Sequence, residues 1–91
     1  MSGGHFNYDQ YRIQQIADDL EQLILDNNKE NEYGYTRNYS DETIAEFKKG
    51  LHHLRMAFAY VHRIDWLVSD DDSEESFHIR LAREIEWMDR P

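Results

Sequence analysis

The chain has 91 residues and no cysteine, a length typical of one domain and a composition that excludes disulfides and thiolate metal sites. Its formal net charge of -9 argues against nucleic acids and anionic membranes as direct partners. No apolar run approaches the roughly 20 residues of a membrane-spanning helix. The N-terminus also lacks the charged flank and apolar stretch of a signal peptide, and Ser2 argues against N-myristoylation.

Charge is unevenly distributed along the chain. Residues 1–46 carry 3 Lys/Arg and 10 Asp/Glu, and residues 65–91 carry 3 Lys/Arg and 9 Asp/Glu. Residues 47–64 carry 4 Lys/Arg and no acid. A basic segment therefore lies between two acidic ones, and this pattern singles it out as a candidate interaction surface.

A first helix is predicted over about residues 8–27. Asn7 and Gln10 have the spacing of a capping box, and the polar run at 26–28 is a natural stop. Apolar residues then recur at helical spacing and predict one buried stripe. These residues are Ile13, Ile16, Ala17, Leu20, Leu23 and Ile24.

A second, longer helix is predicted over about residues 41–67. Ser40 is the expected N-cap, and Tyr39 and Ile44 occupy the positions of a hydrophobic staple. Apolar residues alternate in steps of three and four along a seam. The seam comprises Ile44, Phe47, Leu51, Leu54, Phe58 and Val61, and further apolar residues outside it are Met56, Ala57, Ala59, Tyr60 and Ile64. Apolar surface on more than one side predicts burial by another subunit.

A third helix is predicted over about residues 73–89. Asp72 and Glu75 have capping-box spacing, and Phe77, Leu81, Ile85 and Met88 supply the apolar side. The expected fold is all-α: a single domain, 1–91, forming a three-helix antiparallel bundle or helical hairpin with one long central helix that self-associates.

Catalytic and metal-binding signals are poor. The chain lacks a nucleophile elbow and a glycine-rich phosphate loop. A calcium loop starting at Asp70 fails, because its sixth position is Glu75 and its twelfth is Leu81. His52 and His53 are adjacent and diverge by about 100° on a helix, so they do not chelate one ion alone. We therefore expect no enzyme, no metal and no cofactor.

Three stretches carry residues suited to binding. The basic segment suits phosphates, although it equally suits neutralisation of two acidic helices. The polar link EYGYTRNY suits stacking on a base or contact with a protein, although its tyrosines also suit capping of a bundle end. The opening MSGGHFNY places aromatic rings close together and is expected to be ordered, on its own bundle end or on the next subunit.

Parts of the sequence resemble a group of small acidic phage and prophage proteins. The resemblance lies in MSGGHFNYDQYRI, EYGYTRNYS and RIDWLVSDDDSEESF and runs over most of the chain. It implies a phage accessory protein working in the host bacterial cytoplasm. Such proteins often counter host defence, and helical anti-CBASS sponges, which sequester cyclic nucleotides between subunits, are an analogy of size, helicity and setting.

The leading hypothesis is a phage counter-defence protein that forms a helical homo-oligomer and sequesters a small nucleotide-type immune signal. Cationic side chains would meet phosphates, and tyrosines would stack on bases. The predicted ligand-binding residues are Tyr8, Tyr11, Tyr33, Tyr35, Arg37, Lys48, Lys49, His52, Arg55 and Arg63.

Two other functions stay open at this point. The acidic helices suit an inhibitor that mimics nucleic acid and blocks the basic groove of a host defence protein. A structural or assembly protein without a ligand would use its apolar seam for oligomerisation alone.

Overall fold

The computed structural model describes residues 4–88 and contains three α-helices in this range. α1 spans Gln10–Leu25, α2 spans Asp41–Val68 and α3 spans Glu74–Met88. The all-α prediction and the long central helix are confirmed, and the helix ends lie within two residues of the predicted ones. The predicted end of the third helix at residue 89 lies outside the described residues.

The start of α1 differs from the prediction. Asn7 is not the N-cap; that position is held by Asp9, whose side chain makes no capping hydrogen bond. The cause is tertiary, because the Gln10 side chain that would complete the box instead donates from Nε2 to Asp65 Oδ2 at 3.1 Å. Asn7 and Tyr8 enter the helix through left-handed conformations, with φ of 55° and 62°. Positive φ is rare for a residue as bulky as tyrosine, so long-range contacts hold this turn.

The predicted N-cap is present at the start of α2 but not at the start of α3. Ser40 caps α2 as predicted, its hydroxyl accepting the Thr43 N–H at 3.2 Å. Asp72 does not cap α3: the residue before the helix is Ser73, whose Oγ accepts the Ser76 N–H at 3.1 Å. The Asp72 carboxylate instead turns toward Arg80, 3.7 Å away, and accepts the neighbouring Ser73 N–H.

The link between α1 and α2 is a hydrogen-bonded hairpin. Glu30 and Thr36 form an isolated antiparallel bridge, and Asn31 Oδ1 accepts the N–H groups of Tyr33 and Tyr35. Gly34 occupies the tip with a φ of 79°, a conformation that glycine adopts without strain. This short-range network holds the two tyrosines outward from the end of the helices.

α1 and α3 each pack on α2 and not on each other. Gln10 of α1 meets Asp65 of α2, and Glu84 of α3 meets Arg63, so both outer helices run antiparallel to α2. The chain measures 50 × 28 × 14 Å. Three helices around a common core would be about equally wide in both short directions at the usual spacing of 8–10 Å. The doubled width shows that the three helices form an open layer with α2 in the middle.

The layer has a very small core. Among the described residues, the only fully buried apolar side chains are those of Ala17 and Ala59. Gly50 lies where α1 approaches α2, and a Cβ placed on it would sit 3.9 Å from Leu20 Cδ2. The larger apolar residues of all three helices remain partly in contact with solvent.

A buried carboxylate fixes the N-terminal segment. Asp65 is fully buried and accepts the Phe6 N–H on Oδ1 and the Gln10 amide on Oδ2, each at 3.1 Å. The His5 N–H donates to Ser69 Oγ, also at 3.1 Å. The described part of the opening stretch therefore packs on the end of its own helices. This is one of the two arrangements that were predicted for it.

Two kinds of feature are absent from residues 4–88. No helix there combines the length and apolarity needed to cross a bilayer. Over the same range, no group of three or more His, Cys, Asp or Glu residues is arranged to hold a metal ion.

Candidate functional site

The hairpin brings together two of its three predicted residues. The Arg37 guanidinium lies 5.8 Å from the centre of the Tyr35 ring, and both side chains line a pocket of about 310 Å³. Asp26 and Glu30 line the same pocket beside Lys29, so its charges are mixed. Tyr33 does not line it and is 85% exposed.

Arg55, in the middle of α2, is held by α1. Its Nη2 lies 2.9 Å from Asp18 Oδ1 and 2.9 Å from Glu21 Oε2. Burial by itself lowers the pKa of Arg55, but the hydrogen bonds and charges of the two carboxylates outweigh it and raise the pKa above its ordinary value. This contact is the arrangement expected if the basic segment neutralises acidic neighbours.

The other predicted residues at the start of the basic segment are Lys48, Lys49 and His52. Lys49 pairs with Glu46 on its own helix at 3.0 Å, and both side chains are exposed. Lys48 is exposed, and the His52 ring lies 6.1 Å from that of His53. None of these three residues lines either part of the groove between α1 and α3 that Arg55 and Arg63 line.

An aromatic ladder runs along the C-terminal half of α2. Phe58, His62 and Trp66 follow one another at intervals of four residues, with ring centres 5.3 and 5.9 Å apart. Tyr11 of α1 packs on the first two rings, and Tyr8 stacks on Tyr11 at 6.4 Å. Two predicted base-stacking residues are thus in contact with each other, and Tyr11 is also in contact with α2.

The ladder forms the floor of a groove between α1 and α3. One part, of about 370 Å³, is lined by three arginines, a tryptophan and one carboxylate. The adjoining part, of about 310 Å³, shares Arg83 and Glu84 with the first. We call the two parts the arginine–tryptophan groove. The first part is lined by Arg63, Trp66, Arg80, Arg83 and Glu84. The second part is lined by the two shared residues and by Gln14, Arg55, Phe58, Ala59, Trp87 and Met88.

The groove has a basic surface in an acidic protein. The Arg63 side chain is 13% exposed; its Nε lies 3.0 Å from Glu84 Oε1, in a charge contact whose N–H is not aligned for a hydrogen bond. The Arg63 guanidinium also lies 5.2 Å from the Trp66 ring centre, within cation–π range. Arg83 makes no ion pair with any residue between 4 and 88. Its guanidinium is therefore available to an incoming anion.

The surroundings of His62 in the ladder disfavour its protonated form. Burial lowers the pKa of His62 below 6.5, and the nearby Arg63 charge lowers it further, against smaller opposing effects of Glu84 and Asp65. Its Nδ1 is buried without a hydrogen-bond partner in the described part of the chain. Protonation would place a further cation beneath the arginines, so the folded protein resists it.

The predicted residues fall into separate places. Tyr33, Tyr35 and Arg37 lie at the hairpin, at the opposite end of α1 from Tyr8 and Tyr11, and 16 helical residues span about 24 Å. Arg55 and Arg63 line the groove, whereas Lys48, Lys49 and His52 do not. Sequence reasoning missed Trp66, Arg80, Arg83 and Trp87. The spacing of Arg80, Arg83 and Trp87, three and then four residues, places them on one side of α3 and was the available signal.

No protein-family model matches this chain, and no curated protein or solved structure is significantly similar to it.

Proposed function

We propose that the protein is a non-enzymatic binding protein that holds a small anion with an aromatic ring, of the nucleotide class, in the arginine–tryptophan groove. The observation that carries the proposal is the convergence of Arg63, Arg80 and Arg83 around Trp66. Guanidinium groups match phosphate oxygens in geometry and charge, and an indole ring offers a face for a base.

Size and overall charge support a small ligand over a polymer. The two parts of the groove, about 310 and 370 Å³, lie at the lower end of the range for small-molecule sites. A net charge of -9 repels a long polyanion, whereas a small anion needs only the local basic surface. A protein that binds such a ligand without converting it would act by sequestering the ligand. Resemblance to phage proteins suggests counter-defence in a bacterial cytoplasm as its setting.

A fluorescence titration tests the proposal, because both tryptophans of the chain line the groove. Cyclic and linear nucleotides are added to the protein, and the emission change gives the dissociation constant. Arg83→Gln is expected to weaken binding about tenfold or more, since it removes charge-assisted hydrogen bonds worth about 1.5–3 kcal/mol. The helical circular dichroism should stay unchanged, because Arg83 makes no ion pair within residues 4–88.

Arg12→Gln is the matched control, since it makes the same change of charge at an exposed position on α1 outside the groove. It should bind as the unaltered protein does. Equal affinity of both variants and the unaltered protein for a bound nucleotide would contradict the assignment of the groove. No emission change with any nucleotide would contradict the ligand class.

A second candidate function, the acidic inhibitor of a host defence protein, is favoured by a different observation. Many exposed carboxylates make no ion pair with a described residue, including Asp9, Asp19, Glu30, Glu32, Asp41 and Glu42. These acids could stand in for phosphates on a basic partner. Capture of a basic host protein that salt releases, together with an empty groove, would favour this function over the first.

A further inference from the structure

The helical layer has a second face, opposite the groove. Residues two positions apart on a helix point about 200° apart, which places them on opposite sides. Arg55, His62 and Trp66 face the groove, so Ala57, Tyr60, Ile64 and Val68 of α2 face away from it. Their spacing of three, four and four residues makes them one continuous strip.

The outer helices extend this strip. Asp18 and Glu21 of α1 reach Arg55 on the groove side, so Ile16 and Leu23, two positions from them, lie on the other side. The same rule places Ala82 and Ile85 of α3 opposite Arg80 and Arg83. We call this surface the apolar face; it comprises Ile16, Leu23, Ala57, Tyr60, Ile64, Val68, Ala82 and Ile85.

The apolar face is poorly covered by its own chain. Ile16 is 56% exposed, and Leu23, Tyr60 and Val68 are each more than 40% exposed. A globular domain normally consists of two packed layers, each covering the apolar side of the other. Here one layer is present, and the strip on α2 is open to solvent at Ala57, Tyr60 and Val68.

The chain exposes more surface than a compact monomer of its mass would. The accessible surface is 6878 Å². A compact monomer of 11.0 kDa is expected to expose about 5,600 Å², and its radius of gyration should be about 12 Å, against 16.6 Å here. The excess of roughly 1,300 Å² is more than the roughly 800 Å² that each partner buries in a standard interface.

We infer that a second copy of this chain packs on the apolar face, giving a two-layered dimer. Only two apolar side chains among residues 4–88 are fully buried, so a cover over the apolar face would supply core that a single layer lacks. A copy of the chain is the one partner that is always present with it. The strip on α2 is uncharged, so a two-fold axis along it brings apolar surface onto apolar surface, although Asp19 of α1 and Glu86 of α3 lie on the same side by the same rule. The dimer leaves both grooves open, and it does not depend on the proposed ligand.

Mass measurement with a pair of matched variants tests the dimer. Light scattering of the ligand-free protein after size exclusion should give twice the 11.0 kDa of the chain. Tyr60→Asp places a carboxylate on the apolar face and should weaken dimerisation at least 100-fold. Tyr33→Asp makes the same change at the 85% exposed tip of the hairpin and should leave the mass at twice that of the chain.

Two further measurements keep the inference testable if Tyr60→Asp fails to fold. The melting temperature of the unaltered protein should rise with protein concentration, because folding and dimerisation are linked. Acrylamide should still quench the tryptophan emission in the dimer, because Trp87, 71% exposed in the single chain, lies on the groove side. A single-chain mass with a concentration-independent melting temperature would overturn the dimer. Protection of Trp87 in the dimer would overturn the choice of face.

Discussion

The groove and the apolar face are opposite sides of the same three helices, and their chemistry differs. On the groove side, charged residues from different helices meet: Arg55 with Asp18, and Arg63 with Glu84. On the apolar face, residues such as Ile16 and Tyr60 meet solvent instead. The difference indicates that ion pairs join the helices into a layer without giving it a core. One side is suited to an anion, and the other to a second copy of the layer.

The largest expected effect on stability comes from Asp65, the buried carboxylate that joins the N-terminal segment to α2. Asp65→Ala leaves the Gln10 amide and the Phe6 N–H without their buried acceptor, which should lower the free energy of unfolding by about 2–4 kcal/mol. Tyr11 would then lose its fixed place beside the groove. Chemical denaturation measures the change. Ser69→Ala removes only the exposed hydrogen bond from His5 and is the mild control; an equal loss in both variants would contradict a special role for Asp65.

Salt is expected to act on the two sides in opposite directions. Raising sodium chloride from about 0.05 to 0.5 M shortens the screening length and should weaken nucleotide binding in the groove about tenfold. The same salt screens the repulsion between two chains of charge -9 and should tighten the dimer about threefold. Titrations and sedimentation equilibrium at both salt concentrations measure the two constants. Weakening of both by salt would show that the dimer is held by charge instead of apolar contact.

A substitution at Gly50, where α1 packs on α2, should stabilise the layer without changing the groove or the apolar face. Gly50→Ala should raise the free energy of unfolding by about 1 kcal/mol, because alanine favours a helix and its Cβ meets Leu20 at an ordinary distance. Gly34→Ala is the contrasting variant and should destabilise, since its φ of 79° strains an L-residue. Denaturation curves measure both. Loss of stability in Gly50→Ala would mean that another backbone needs the space.

The smallest expected effect is a pH dependence that belongs to the groove side. The pKa of His62 is lowered on folding, so the unfolded chain binds a proton more readily than the folded one. Stability should therefore be full above pH 6.5 and fall as the pH drops from there toward the lowered value. Arg63 opposes protonation, while Glu84 and Asp65 favour it. His62→Gln should flatten this part of the stability curve. An unchanged slope in thermal melts between pH 7 and 5 would contradict the assignment to His62.

Local signals in the sequence were sufficient for α2 and insufficient for the other helix starts. Ser40 caps α2 through a hydrogen bond three residues away, and such a contact is readable from spacing alone. Asn7 and Asp72 looked equally suitable as caps. Their boxes did not form, because Gln10 is bound to Asp65 and the Asp72 carboxylate faces Arg80. Competition from residues distant in sequence decides such cases.

The residues of the groove, like the helix starts, could be predicted only in part from the sequence. Arg63 was singled out from the charge pattern, and it does line the groove. Arg80 and Arg83 lie in a segment of net negative charge, where a count of charges hides their common side of α3. Whether that side meets Trp66 depends on how α3 docks, which the spacing on one helix does not determine.

Native mass spectrometry of the protein with a panel of cyclic and linear nucleotides tests most directly the claim that the two faces have separate tasks. We expect a species of twice the 11.0 kDa chain mass that gains one nucleotide per chain, and we expect the Tyr33→Asp variant to behave identically. A single-chain mass would contradict the task assigned to the apolar face. A dimer that stays empty against the whole panel would contradict the task assigned to the groove.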